Sequence, residues 1–122
     1  MAVVYRSVRM VVQNSSPALL TLDAAEIVLG EWAVPNKLAA IAPQSAAVFS
    51  TQSTTMQIGS EAFVRLSSAF GMVDLHWCLP WVGSFSLVPT VDFDWDIEID
   101  IDESEPCAIA ALVILEPLRG SA

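Results

Sequence analysis

Apolar and polar residues alternate with a period of two along much of this chain, and turn residues break the alternation at short intervals. The clearest case is residues 92–102. Phe93, Trp95, Ile97, Ile99 and Ile101 take every second place, and Asp92, Asp94, Asp96, Glu98, Asp100 and Asp102 fill the places between. A helix would scatter those acids around its axis, so the segment is predicted as a strand with one apolar and one acidic face.

Other runs obey the same logic. Residues 3–13 alternate in part, with Arg6, Val8, Met10 and Val12 on one face. The cluster Asn14-Ser15-Ser16-Pro17 predicts a turn, and residues 18–23 a second strand. Residues 24–32 have some helical propensity. Ile27-Val28-Leu29 is apolar on every side, however, and Gly30 comes next, so a strand ending at Gly30 or Trp32 is predicted. Pro35 and Asn36 mark a loop. Residues 40–43 read as an edge segment, because Pro43 cannot donate to a sheet ladder. A short strand at 46–50 precedes a polar, loop-like stretch at 51–55. Residues 61–67 set Ala62, Val64 and Leu66 against Phe63 and Arg65, and residues 72–77 form a strand ended by Pro80. Gly83 and Pro89 punctuate the next stretch. A turn at 103–106 leads to a last buried strand at 108–115. Many short strands at this spacing predict an all-β protein, a single-domain antiparallel β-sandwich over residues 1–117 with a tail at 118–122.

Composition supports one ordered domain. The chain has 122 residues, of which 54% are hydrophobic, too many for a disordered segment and enough for one two-layer core. No uncharged apolar run reaches the roughly 18 residues of a membrane-spanning helix. Arg6 and Arg9 interrupt the apolar N-terminal stretch where a signal peptide needs an unbroken apolar run of about 7–15 residues. Release without a cleaved signal, or else a cytoplasmic location, is the expectation.

Charge narrows the partners. The formal net charge is −9, which disfavours nucleic acid, whose phosphates need a basic surface. The acidity is local, since eight of the fourteen acids fall between Asp92 and Glu105. On a strand the alternate carboxylates sit about 6.6 Å apart. Three readings stay open for that row: a solvated sheet edge that repels other edges, a Ca²⁺ site near the turn at Asp100, Asp102, Glu103 and Glu105, or a docking face for a basic partner. Arg6, Arg9 and Arg65 are candidates to pair with it. Crowded carboxylates are expected to raise one another's pKa values, so that acid would neutralise the face.

Little points to bond chemistry. His76 is the lone histidine, flanked by Leu75 and Trp77, and reads as a packed strand residue. There is no Gly-x-Ser-x-Gly elbow, no P-loop and no Cys-x-x-Cys pair, so neither an enzyme nor a cofactor is expected. Cys78 and Cys107 are read as buried thiols, or as one disulfide. Binding through aromatics is the stronger prospect. Trp32, Trp77, Trp81 and Trp95 are many for so small a domain, and tryptophan suits membrane interfaces and sugar faces. Trp77 and Trp95 are expected in or near the core. Trp81, between Pro80 and Gly83, is the first candidate for an exposed binding aromatic, with Phe85 in the same loop and Trp32 second.

An ordered set of short motifs carries a family resemblance. It runs through Asn14-Ser15-Ser16, Leu20, Gly30-Glu31-Trp32, Pro35, Ile41-Ala42-Pro43, Phe49-Ser50, Ser53 and Gly59-Ser60-Glu61. It ends on His76-Trp77-Cys78-Leu79-Pro80-Trp81-Val82-Gly83-Ser84. In that order and spacing the chain resembles the aegerolysin superfamily, in particular its small crystal-protein and haemolysin-like branch. The resemblance implies a β-sandwich that recognises a membrane lipid, or a surface glycan, and that acts in some members with a larger pore-forming partner. It adds Trp77 and Glu61 to the candidate ligand-binding residues. Where the lipid-binding members carry a tryptophan, an acidic residue and an aspartate, this chain has Leu29, Ile58 and Cys78. The competing expectation is an interaction or structural protein that uses the acidic strand and keeps its aromatics in the core.

Overall fold

In a computed structural model the chain forms two five-stranded sheets packed face to face. The structure describes residues 3–35, 38–91 and 95–118. Asn36 of the expected loop, Asp92, Phe93 and Asp94 of the acidic stretch, and residues 119–122 of the tail lie outside the described residues. The strands are β1 (Arg6–Asn14), β2 (Leu20–Leu29), β3 (Glu31–Trp32), β4 (Ala40–Ile41), β5 (Ser45–Ser53), β6 (Ser60–Ser68), β7 (Gly71–Leu79), β8 (Ser86–Val91), β9 (Trp95–Asp102) and β10 (Ala108–Pro117). One sheet has the order β3-β5-β1-β10-β9, and the other β4-β2-β6-β7-β8.

Period-two alternation builds the core, because each strand turns every second side chain inward. Val8, Met10 and Val12 of β1 meet Ala62, Val64 and Leu66 of β6 and Val73, Leu75, Trp77 and Leu79 of β7, all buried. Ile109, Ala111, Val113 and Leu115 of β10 and Phe49 of β5 complete the layer. Trp77 and Trp95 are enclosed as the alternation requires, with Trp95 edge-on to Phe70 at 6.0 Å.

Four features differ from the strand pattern read in the sequence. First, the strands read at 18–23 and 24–32 are one strand as far as Leu29, and Glu31 and Trp32 form β3 in the other sheet. β2 runs unbroken to Leu29, with register shifts at Leu22/Ala24 and Ile27/Leu29. A bulge adds one residue and moves the inward phase from Leu22 to Ala25. Second, Thr51 and Ser53 are fully strand and buried, despite their polarity. Third, residues 86–91 form β8, a sheet edge in which Pro89 is tolerated because only one side needs a ladder. Fourth, β1 pairs in parallel with β10, while all other neighbours are antiparallel. These two strands come from opposite ends of the domain, so no hairpin dictates their relative direction.

The buried polar side chains act as cross-links. Asn14 Nδ2 donates to the Ala18 and Ile41 carbonyls at 2.8 and 3.0 Å, while its Oδ1 accepts from Ser16 N–H and Oγ–H. That ties the β1–β2 turn to β4. Thr51 Oγ1 on one sheet accepts from Trp77 Nε1 at 3.0 Å and from Ser60 Oγ at 2.9 Å on the other. Gly59 leads into Ser60, and a Cβ there would sit 2.6 Å from the Leu79 carbonyl oxygen, so only glycine admits this close approach.

Candidate functional site

Strand direction gathers five chain segments at one end of the sandwich. The start of β1 faces the end of β5 (Arg6 opposite Ser53), and the end of β9 faces the start of β10 (Asp102 opposite Ala110). In the second sheet Ser60 faces Leu79, Leu29 faces Glu61, and Ser86 faces Cys78. Residues 3–5, the bend at Gly30, and the loops 54–59, 80–85 and 103–107 therefore share one tip. They are stitched together locally. Tyr5 N–H donates to the Ser53 carbonyl at 2.9 Å, and Thr54 Oγ1 donates to Glu31 Oε1 at 2.9 Å.

Water reaches several large apolar side chains at this tip, beside the exposed acids Glu31, Glu103 and Glu105. Val82 is 85% exposed, Met56 62% and Val3 61%, and Val4, Val28, Leu29 and Ile58 are also exposed. At the opposite end, among the described residues, the exposed large apolar side chains are Leu19, Val91 and Leu118. Folding leaves single apolar residues on any surface, whereas here several fall at one end of the sandwich.

Trp81 stands at the tip, half-buried in the loop after β7. Tyr5 meets its ring edge-on at 5.7 Å, and the Arg6 guanidinium lies over it with Cζ 4.1 Å from the ring centroid. Arg6 Nη2 also donates to the Trp81 carbonyl at 2.6 Å. The indole is thus held rather than free.

The other residues singled out in the sequence lie in three different places. Phe85 belongs to the Trp81 loop but packs against the core. Trp77 is fully buried and reaches no solvent, so it supports the sheets from within. Trp32, on edge strand β3, packs on Trp77 and Phe49 with centroids 6.5 and 6.4 Å away. With Val34, Pro35, Leu38 and Val48 it lines a side groove of about 360 Å³. Glu61 lies on the outer face of the second sheet. Its Oε2 is 2.5 Å from His76 Nε2, so His76 is exposed and hydrogen-bonded rather than packed as the sequence suggested.

Glu61 also faces Cys78 across the β6–β7 pair. Both cysteines are free thiols, and Cys107 is exposed rather than buried. A Cys, His and Glu on one face invite a catalytic reading, but the order is wrong, because the carboxylate stands beside both partners and the imidazole does not separate them. Burial, and then the Glu61 carboxylate, push the Cys78 thiol up from its ordinary range. An activated nucleophile needs the reverse. A group whose pKa is raised in the fold contributes stability below its ordinary pKa and loses it as the pH rises towards the raised value. In a Cys107→Ser background, Cys78 is expected to react with iodoacetamide at pH 8.5 several-fold more slowly in the native protein than in urea, and Glu61→Gln is expected to speed the native reaction. Equal native and unfolded rates would refute this account.

The acidic strand lies along a sheet edge. Asp96, Glu98, Asp100 and Asp102 face outward from β9, which has a neighbour on one side only. Such a row repels a second acidic edge. Among the described residues no three His, Cys, Asp or Glu groups converge where they could hold a metal, and this includes Asp100, Asp102, Glu103 and Glu105. Asp102 departs from the expected upward shift, since its carboxylate accepts Ser104 N–H at 2.9 Å and is held below the usual carboxylate range. The stabilisation this bond gives is present above the ordinary carboxylate pKa and is lost as the pH falls through the lowered value. Two expected arginine partners are elsewhere. Arg65 forms a two-pronged pair with Asp74 in the other sheet, at 2.8 and 2.9 Å, and Arg6 is on Trp81. Only Arg9 shares the face, beside Asp100 and Asp102.

Comparison with known proteins finds no family model and no curated protein that matches this sequence. By structure, the chain is similar to the lipid binding protein Nakanori. The TM-score is 0.76 at 12% identity, over 90% of this chain and 70% of that one. At so low an identity the likeness concerns the fold, which is that of an all-β sandwich.

Proposed function

We propose that this protein is a non-enzymatic binder of membrane lipid that meets the bilayer with its apolar tip. The observation that carries this reading is the placement of Val82, Met56, Val3, Val4, Leu29 and Ile58 on the turns at one end, around a held Trp81. Inserting these side chains removes apolar surface from water, at about 25 cal/mol per Å². The tryptophan ring suits the boundary between headgroups and hydrocarbon. No helix among the described residues is long and apolar enough to cross a membrane.

The likeness in fold to a lipid-binding protein supports this reading, as does the resemblance to aegerolysins. The latter also names a larger pore-forming protein as the partner to add, if the bound protein alone leaves vesicles intact.

Charge selects the lipid. With a net charge of −9, and with Glu31, Glu61, Glu103 and Glu105 near the tip, an anionic bilayer repels the protein. Cosedimentation is expected with zwitterionic phosphatidylcholine or sphingomyelin vesicles, and to weaken as phosphatidylserine is added. Tryptophan emission should shift to the blue on binding, because Trp77 and Trp95 are already dry and Trp81 is the indole at the tip. If the protein stays in the supernatant with every zwitterionic vesicle, with emission unmoved, the reading fails.

A further inference from the structure

Among the described residues Arg6 is the cation of this tip, and its surroundings are unusual for an arginine in so acidic a protein. Its side chain is half-buried, where a guanidinium gains most from an anion. Yet the ion pairs among the described residues are Arg65–Asp74 and His76–Glu61, and Arg6 has no carboxylate among them at hand. Instead Nη1 donates to the Tyr5 carbonyl at 2.8 Å and Nη2 to the Trp81 carbonyl at 2.6 Å. The plane is anchored on the Trp81 ring. Of the five N–H donors of a guanidinium, two are used by these carbonyls. Neutral carbonyls orient the group and supply no carboxylate to pair with its charge.

We propose that Arg6, fixed by Trp81 and Tyr5, recognises the phosphate of a zwitterionic phospholipid headgroup as the tip docks. This rests on the membrane-binding reading above and names the chemistry it selects. Tryptophan rings settle at the depth of the headgroups, which is where lipid phosphates lie. A guanidinium fork suits a phosphate better than an ammonium, because two parallel N–H bonds reach two oxygens. Phosphate that carries its own cation, as in a choline headgroup, escapes the repulsion that the neighbouring glutamates exert on an anionic lipid.

The test compares vesicles of phosphatidylcholine with vesicles of digalactosyldiacylglycerol, a neutral bilayer lipid without phosphate, using the intact protein and its Arg6→Gln and Arg6→Lys variants. The intact protein is expected to partition at least about tenfold better onto phosphatidylcholine. Arg6→Gln should lose that advantage while keeping its partitioning onto the galactolipid, and Arg6→Lys should fall between. Equal losses on both vesicles would mean that Arg6 only braces the Trp81 loop, which overturns the proposal. An intact protein that prefers neither vesicle overturns it too, and leaves membrane binding standing. If neither vesicle is bound, the membrane reading has failed, and soluble glycerophosphocholine decides the remainder. Perturbation of Trp81 fluorescence that Arg6→Gln abolishes sustains phosphate recognition, and no perturbation ends it. Unfolding curves that match the intact protein are the control for folding.

Discussion

Thr51→Val is expected to destabilise the fold by about 2–4 kcal/mol, out of a total of roughly 5–15 kcal/mol for a domain of this kind. Valine has nearly the shape of threonine, so no cavity opens. What is lost is the acceptor for two buried donors, Trp77 Nε1–H and Ser60 Oγ–H, which reach Thr51 from the opposite sheet. All three residues are at 0% exposure, so water does not replace the missing oxygen. Each buried donor left unpaired costs about 1–3 kcal/mol. Thr51→Ser is the control. It keeps the hydroxyl and loses one methyl, and should cost roughly 1 kcal/mol. Urea unfolding of the two variants checks the account, and a valine variant as stable as the serine variant would refute it. The same contact fixes the tip, since Ser60 comes directly after the loop 54–59 and Trp77 lies near the end of β7, just before the loop 80–85.

The second large effect concerns membrane partitioning. Val82→Asp is expected to lower vesicle binding by roughly two orders of magnitude with no loss of fold stability. Burying the valine side chain in the bilayer contributes about 1.5 kcal/mol, and carrying a carboxylate into the same region costs at least as much again. Tenfold in affinity corresponds to about 1.4 kcal/mol, which sets the size of the loss. Folding is spared because the side chain is 85% exposed and touches little else. Met56→Asp, on the neighbouring loop, should act in the same direction. Leu19→Asp, which changes an exposed leucine at the opposite end, should leave partitioning unchanged. If Leu19→Asp weakens binding as much as Val82→Asp, the contact is general stickiness and the tip has no special role.

How far the site is legible in the sequence depends on the residue. Trp81 stands out because an indole between Pro80 and Gly83 falls on a turn, and the structure places it at the tip. Val82 and Met56 carry a usable signal of a different kind. A large apolar side chain inside a turn has no core to fill, so its presence there calls for another surface. Arg6 carries no such signal. It shares the parity of Val8, Met10 and Val12, and only its place at the strand end turns it from the core towards Trp81, 75 positions away.

Sequence alone determined the class of fold, because a strict period of two sorts side chains onto two faces in strands and in nothing else. It separated the two faces of β6 and of β9, and put the acids of β9 on the face opposite its isoleucines. Tertiary structure decided the rest. The parallel pairing of β1 with β10 closes the longest loop in the domain, and no local residue pattern encodes it. Burial of Thr51 and Ser53 depends on partners that the folded chain supplies, as the facing sheet does for Thr51, so their polarity misleads when read along the chain. The tip exists only once strand directions bring five distant segments to one end. Local periodicity is a property of neighbouring residues, whereas a surface assembled across two sheets is a property of the whole fold.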